Sequence, residues 1–176
     1  MPQIAFARAR AGETAGFAAL VRLHQPLVYG IALRMLMDRA LAEDLSQEVF
    51  LQMYRSLGAI ESHEHLVFWL RRVTAHRAID RLRQERRIET TALEDAAELF
   101  SATPGDDPLL ARHLQALVQQ LAPMARAVVL LRYQEDLDPV EIARTLEIPV
   151  NTVKSHLKRS LSLLRRELSG MASVTL

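Results

Sequence analysis

The sequence predicts an all-α protein: two small helical domains joined by a flexible acidic linker, the C-terminal one a helix-turn-helix. Three observations predict it. Apolar residues recur at three- and four-residue spacing on both sides of residues 89–107, with almost none of the alternation that strands require. Charge divides the chain into blocks. Residues 1–88 hold thirteen arginines and nine acids, a net of +4; residues 89–107 hold six acids and no base; residues 108–176 hold nine cations and six acids, a net of +3. The acidic stretch ETTALEDAAELFSATPGDDP also has weak periodicity and ends in the breaker cluster Thr103 to Pro108. These features delimit domains at 13–88 and 108–169 and a linker at 89–107, with room for one helical turn around Leu93 to Phe100.

In the first block, Phe17, Leu20, Val21 and Leu23 begin an amphipathic helix that Pro26 interrupts or restarts. Val28, Ile31, Ala32, Met35 and Leu36 continue it. Asp38 suits an N-cap for a second helix with Leu41, Leu45, Val49, Phe50, Met53 and Leu57 at helical spacing, closed by Gly58. The loop Ala59 to His65 leads to a third helix, Leu66 to Arg87. There Leu66, Trp69, Leu70 and Val73 share one face while Ala75, Ile79 and Leu82 fall opposite, so the helix changes its buried face or is covered on two sides. Trp69 reads as core, and Phe68 stays open.

In the second block, Leu110, Leu114, Leu117, Val118 and Leu121 make one helix, and Pro123 starts another ending at Tyr133. Pro139 opens a short helix to Leu146. After Ile148, Pro149 and Val150, Asn151 or Thr152 can cap a last helix whose core stripe is Val153, Leu157, Leu161, Leu164 and Leu168.

Composition excludes several functions. At 49% hydrophobic residues the chain can bury real cores, and its lack of cysteine removes disulfides, zinc–thiolate sites and thiol catalysis. No apolar run suits a signal peptide or a membrane span, so the expectation is a soluble, cytoplasmic protein with no membrane partner. Ser62-His63-Glu64-His65 brings to mind a metal site. Histidines two apart do not share a helix face, however, and no third ligand has metal spacing, so a polar loop without metal or other cofactor is expected. No phosphate-binding glycine loop, GxSxG or carboxylate pair argues for an enzyme.

PVEIARTL, EIPV and NTVKSHLKRSLSLLRREL form a short helix, a tight turn and a capped helix, which is helix-turn-helix patterning. With Val153 and Leu157 inward, Lys154, Ser155, Lys158 and Arg159 face outward near the N-terminal half of the second helix, the end that enters a major groove. Amides at Asn151 and Thr152 can take a phosphate, and the cations can pair with phosphates or read guanine. Alone, the pattern also fits a solvated basic face or a free-standing regulator of transcription.

The stretch EIARTLEIPVNTVKSHLKRSLSLLRREL resembles the promoter-binding C-terminal domain of bacterial sigma factors of the extracytoplasmic-function group. AEDLSQEVFLQMYRSL, Ala42 to Leu57, is similar to the family helix that docks on core RNA polymerase, and FWLRRVTAHRAIDRLRQERR, Phe68 to Arg87, to the helix that opens and reads the start-proximal promoter element. Three motifs in family order cover nearly all of the chain outside the linker and termini.

The resemblance implies that Asp44, Gln47 and Glu48 meet a basic coiled-coil surface of the polymerase, with Leu45, Val49 and Phe50 as apolar contact or core. Asp44 and Glu48 also suit the helix dipole as first-turn acids. The loop residues Ile60, Ser62 and His63 and the helix residues His76, Arg77 and Arg81 are implied to bind the −10 element. Asn151, Thr152, Lys154, Ser155, Lys158 and Arg159 are implied to bind the −35 element. Seven arginines between Arg71 and Arg87 suit a phosphate backbone. The family often carries asparagine where this chain has His76, a basic residue where its loop has two acids, and glycine where it has Glu147. The implied partners are core RNA polymerase, promoter DNA and an anti-sigma factor, and the linker is implied to mimic nucleic acid in the polymerase exit channel. A left-handed Glu147 would cost about 1–2 kcal/mol.

Overall fold

A computed structural model describes residues 1–89 and 108–172, and among them every regular element is helical. The turn expected around Leu93 to Phe100 lies outside the described residues. The chain divides into two compact units, residues 1–85 and 86–176.

The first unit begins earlier than the periodicity suggested. Helix α1, Pro2–Arg10, packs along α2, Thr14–Leu36. It buries Phe6 and Ala9. The close approach depends on Gly16, where an added Cβ would lie 2.6 Å from the Ala9 amide nitrogen. Pro26 does not divide α2, which runs through it unbroken. Both Pro26 and Arg22, whose carbonyl loses its helical donor, are on the exposed side, so water can satisfy that oxygen.

Asp38 caps α3, Arg39–Ser56, as expected, its side chain accepting from the Leu41 amide at 2.9 Å. A 3-10 turn, Leu57–Ala59, carries Gly58 beyond the helix end. Helix α4, His63–Glu89, starts three residues before the expected Leu66, because Ser62 accepts from the His65 amide at 3.1 Å and so caps it. Its buried positions are Leu66, Leu70, Thr74, Ala75, Ala78, Ile79 and Leu82. Steps of four drift around a helix by about 40° each, so this row winds from one face to the opposite one. Trp69, expected in the core, is half-buried beside it. Leu20, Val28, Ile31 and Met35 from α2 and Leu45, Val49 and Met53 from α3 complete the core.

The second unit contains α5, Pro108–Gln120, α6, Pro123–Tyr133, α7, Pro139–Leu146, and α8, Val150–Ala172. Leu121, Ala125 and Val129 cluster with Leu163 of α8, and Ile142 and Leu146 of α7 are fully buried. Arg126 is buried and donates to the Gln119 carbonyl near the end of α5, occupying an acceptor that the helix leaves open there.

Candidate nucleic-acid interface

The helix-turn-helix is built from its first cap. Asp138 Oδ1 accepts from the Val140 amide at 2.7 Å and the Glu141 amide at 2.8 Å, while Glu141 Oε2 accepts from the Asp138 amide at 2.8 Å. This reciprocal capping box holds the start of α7, and Ile142, Ala143, Thr145 and Leu146 anchor its inner face. At the far end Glu147 takes the left-handed conformation, φ 55° and ψ 41°, so the turn keeps the glycine-like shape and carries the strain.

Helix α8 starts one residue before the expected cap. The Pro149 carbonyl accepts from the Thr152 amide at 2.9 Å and the Val153 amide at 3.1 Å, so neither Asn151 nor Thr152 is the N-cap residue. Asn151 instead stands exposed in the first turn and Thr152 is half-buried. Val153, Ser160 and Leu164 are buried, while Leu157, Leu161 and Leu168 are half-buried. Ser160 belongs to a stripe that apolar spacing alone assigned to leucines.

On the outer side, Asn151, Lys154, Ser155, Lys158 and Arg159 are all exposed, and Ser162, Arg165 and Arg166 continue the row. At 100° per residue these positions fall within about 140° of one another around the axis. Ser155, Lys158, Arg159, Ser162, Leu163 and Arg166 line an open groove along this side. Along α8 the first acid is Glu167, paired with Arg166 at 3.3 Å, so the first four turns present cations only. The positive end of the helix dipole adds to them.

In the first unit, Asp44 and Gln47 are exposed on α3, and the row continues to Leu51 and Tyr54, which are 59% and 67% exposed. Phe17 of α2 meets Tyr54 edge-on, with ring centroids 5.1 Å apart. The apolar part of this face is therefore Leu51 and Tyr54. Leu45 and Val49, the sequence candidates, are fully buried. The 44, 47, 51, 54 spacing was available in the sequence, but nothing in it marked Leu51 and Tyr54 as outward-facing. Asp44 lies beyond the first turn of α3, which holds no acid, so the helix dipole does not account for it. Glu48 is half-buried and turned toward α4, where it pairs with Arg77 and Arg81.

The loop candidates divide. Ile60 is a correction: it is 2% exposed and belongs to the core, so its side chain offers no DNA contact in this conformation. The Ser62 hydroxyl is occupied as the α4 cap, and Glu64 is held below the usual carboxylate range by its own backbone amide and then by Ser62. His63 Nε2 lies 3.1 Å from His24 Nε2. His24 is buried, and desolvation first, then the His63 charge, push it down to about 4. His76 is half-buried on α4, one residue before Arg77. Among the described residues no group of three or more His, Cys, Asp or Glu could hold a metal, and no helix is long and apolar enough to cross a membrane.

A cationic recognition helix, a helix-turn-helix and an acidic and aromatic face on α3 are the parts expected of a transcription factor that works with polymerase. Known proteins agree. Residues 20–88 match the sigma-70 region 2 family and residues 111–164 the family described as sigma-70, region 4. The chain is 38% identical over 165 residues to RNA polymerase sigma factor CarQ of Myxococcus xanthus, spanning 93% of this chain and 94% of that one. It is 28% identical to the ECF RNA polymerase sigma factor SigW of Bacillus subtilis, over 91% and 92% of the two chains. Among solved structures, sigma factor RpoE of Bartonella quintana, in complex with the anti-sigma factor NepR, shares the fold with a TM-score of 0.72 and 18% identity, over 87% of this chain and 96% of that one. CnrH, solved with the cytosolic domain of CnrY, gives 0.68 and 21%, over 96% and 97%. The chain belongs to the extracytoplasmic-function group of sigma-70 family RNA polymerase sigma factors.

Proposed function

We propose that the two units divide the work of a sigma factor between named surfaces. Residues 1–89 dock on core RNA polymerase through Asp44, Gln47, Leu51 and Tyr54 of α3. They read the −10 element and help melt it through α4, with His76, Arg77 and Arg81 facing the DNA and Ser62 and His63 at the near edge. Residues 108–169 read the −35 element with Asn151, Thr152, Lys154, Ser155, Lys158 and Arg159. The observation that carries the reading is the one-sided cationic row of α8 behind a capped α7, which fits a major groove with its N-terminal end leading.

The protein acts as an initiation factor, with polymerase performing the chemistry, and its place is the cytoplasm, where polymerase and promoter DNA are. NepR, the anti-sigma factor bound to the Bartonella RpoE, supports expecting a partner of that kind here.

The test adds the purified protein to sigma-free core polymerase and maps transcript starts on sheared genomic DNA. Discrete starts sharing two spaced upstream elements, absent without the protein, are expected. No transcripts and no comigration with core polymerase on a sizing column would favour a free-standing helix-turn-helix regulator.

A further inference from the structure

Arg77 and Arg81 sit one turn apart on α4, and both guanidinium groups bend toward α3. Arg77 Nη1 donates to Glu48 Oε2 at 2.8 Å, and Arg81 Nη2 donates to Glu48 Oε1 at 2.5 Å. Gln52, one turn further along α3, accepts from Arg77 Nε at 3.1 Å and Nη2 at 2.7 Å. Arg81 Nη1 also donates to the Leu41 carbonyl at 3.3 Å. Every guanidinium nitrogen of Arg77 is thereby committed to α3. One carboxylate is shared between two cations, so the cluster keeps a net positive charge at the edge of the helix seam. Its side chains remain 39%, 22% and 44% exposed for Arg77, Arg81 and Glu48.

Glu48 and Gln52 lie on the flank of α3 between its buried row and the outward row of Asp44, Gln47, Leu51 and Tyr54. That placement faces α4 rather than a docking partner. A free arginine loses rotamer freedom when it captures a phosphate, whereas one already held by a carboxylate and an amide has lost most of it. Sharing the carboxylate also trims the indiscriminate pull of two bare cations on any polyanion.

We propose that Glu48 is a positioning residue for promoter DNA: through its shared carboxylate it holds Arg77 and Arg81 at the α3–α4 seam for the −10 region. The inference rests on the sigma-factor reading and moves Glu48 from the polymerase face to the DNA side. Glu48→Gln keeps the shape and removes the charge. The test uses holoenzyme reconstituted from the full chain and core polymerase, with a promoter fragment recovered by start-site mapping and a random-sequence fragment of equal length.

Core affinity is expected to stay within about twofold of wild type, since the mutated side chain lies off the docking row. The plot of log affinity for promoter DNA against log salt should steepen by about one unit, one extra phosphate's worth. The preference for promoter over random fragment should fall. In a background carrying Arg77→Gln and Arg81→Gln, adding Glu48→Gln should change neither slope nor preference, because the groups it acts through are gone.

A tenfold or larger loss of core affinity with an unchanged salt slope would return Glu48 to the docking face and overturn the proposal. An equal slope change in the arginine-free background would overturn it too. Failure of the wild-type chain to bind core polymerase at all would overturn the sigma-factor reading beneath it, a result separable from either of the others.

Discussion

The amide of Ile148 reaches back across the left-handed Glu147 to donate to the carbonyl of Ala143 at 3.1 Å. That bond closes α7 and aims the chain into α8, and it needs a positive φ at a residue whose Cβ resists one. Glu147→Gly removes the Cβ clash, but glycine returns some entropy to the unfolded chain. A net gain of about 0.5–1 kcal/mol is expected in urea unfolding of the C-terminal unit. No gain would mean that Glu147 carries a compensating contact.

Gly16 predicts the opposite sign. A methyl group there would meet the Ala9 nitrogen at 2.6 Å and the Arg8 carbonyl carbon at 2.8 Å, both backbone atoms. Gly16→Ala should push α1 off α2, cost about 1–3 kcal/mol, and speed hydrogen exchange at the amides of α1 above all others. Unchanged protection in α1 would show that the two helices can separate slightly without loss.

His24 makes stability depend on pH. Its folded pKa, about 4, lies below the unfolded value of 6.5. As pH falls through 6.5 the unfolded chain takes up a proton that the buried imidazole beside His63 resists. Stability is therefore complete above about 6.5 and is lost on the way down to about 4, by on the order of 3 kcal/mol. Denaturant titrations at pH 7.5, 6 and 5 should follow this fall, and His24→Gln should flatten it. The same fall in the variant would place the proton uptake elsewhere.

Lys158 and Arg159 should act through phosphates. Replacing both with alanine should weaken promoter binding by the holoenzyme and make the salt slope shallower by about 1.8, two phosphates' worth. An unchanged slope with altered sequence preference would mean that they read bases.

Helix boundaries marked by proline or a capping acid were legible. Pro123 and Pro139 open α6 and α7 where expected, and Asp38 caps α3, because these signals act within one turn. The strain at Glu147 was legible for the same reason. Helix α1 was not, since its inner side offers only Phe6 and Ala9, too little for a periodic pattern. Nor was the continuity of α2, because proline's cost depends on which side of the helix meets water. The site was legible where exposure follows from helical phase, as at Lys154, Ser155, Lys158 and Arg159. It was not where a side chain's role is set by another helix. Glu48 and Arg81 are 33 residues apart, and His24 and His63 are 39 apart. Periodicity carries no information about such pairs.

The capping box of Asp138 and Glu141 also bears on how quickly this protein is ready for use. It joins residues three apart, and the helices it serves, α6, α7 and α8, pack on their neighbours in the chain. Little loop must be closed before such contacts form, which places folding of this unit in the roughly microsecond-to-millisecond range. A domain assembled from local pieces is complete almost as soon as it clears the ribosome. The delay between synthesis and a working promoter reader is then set by the search for polymerase.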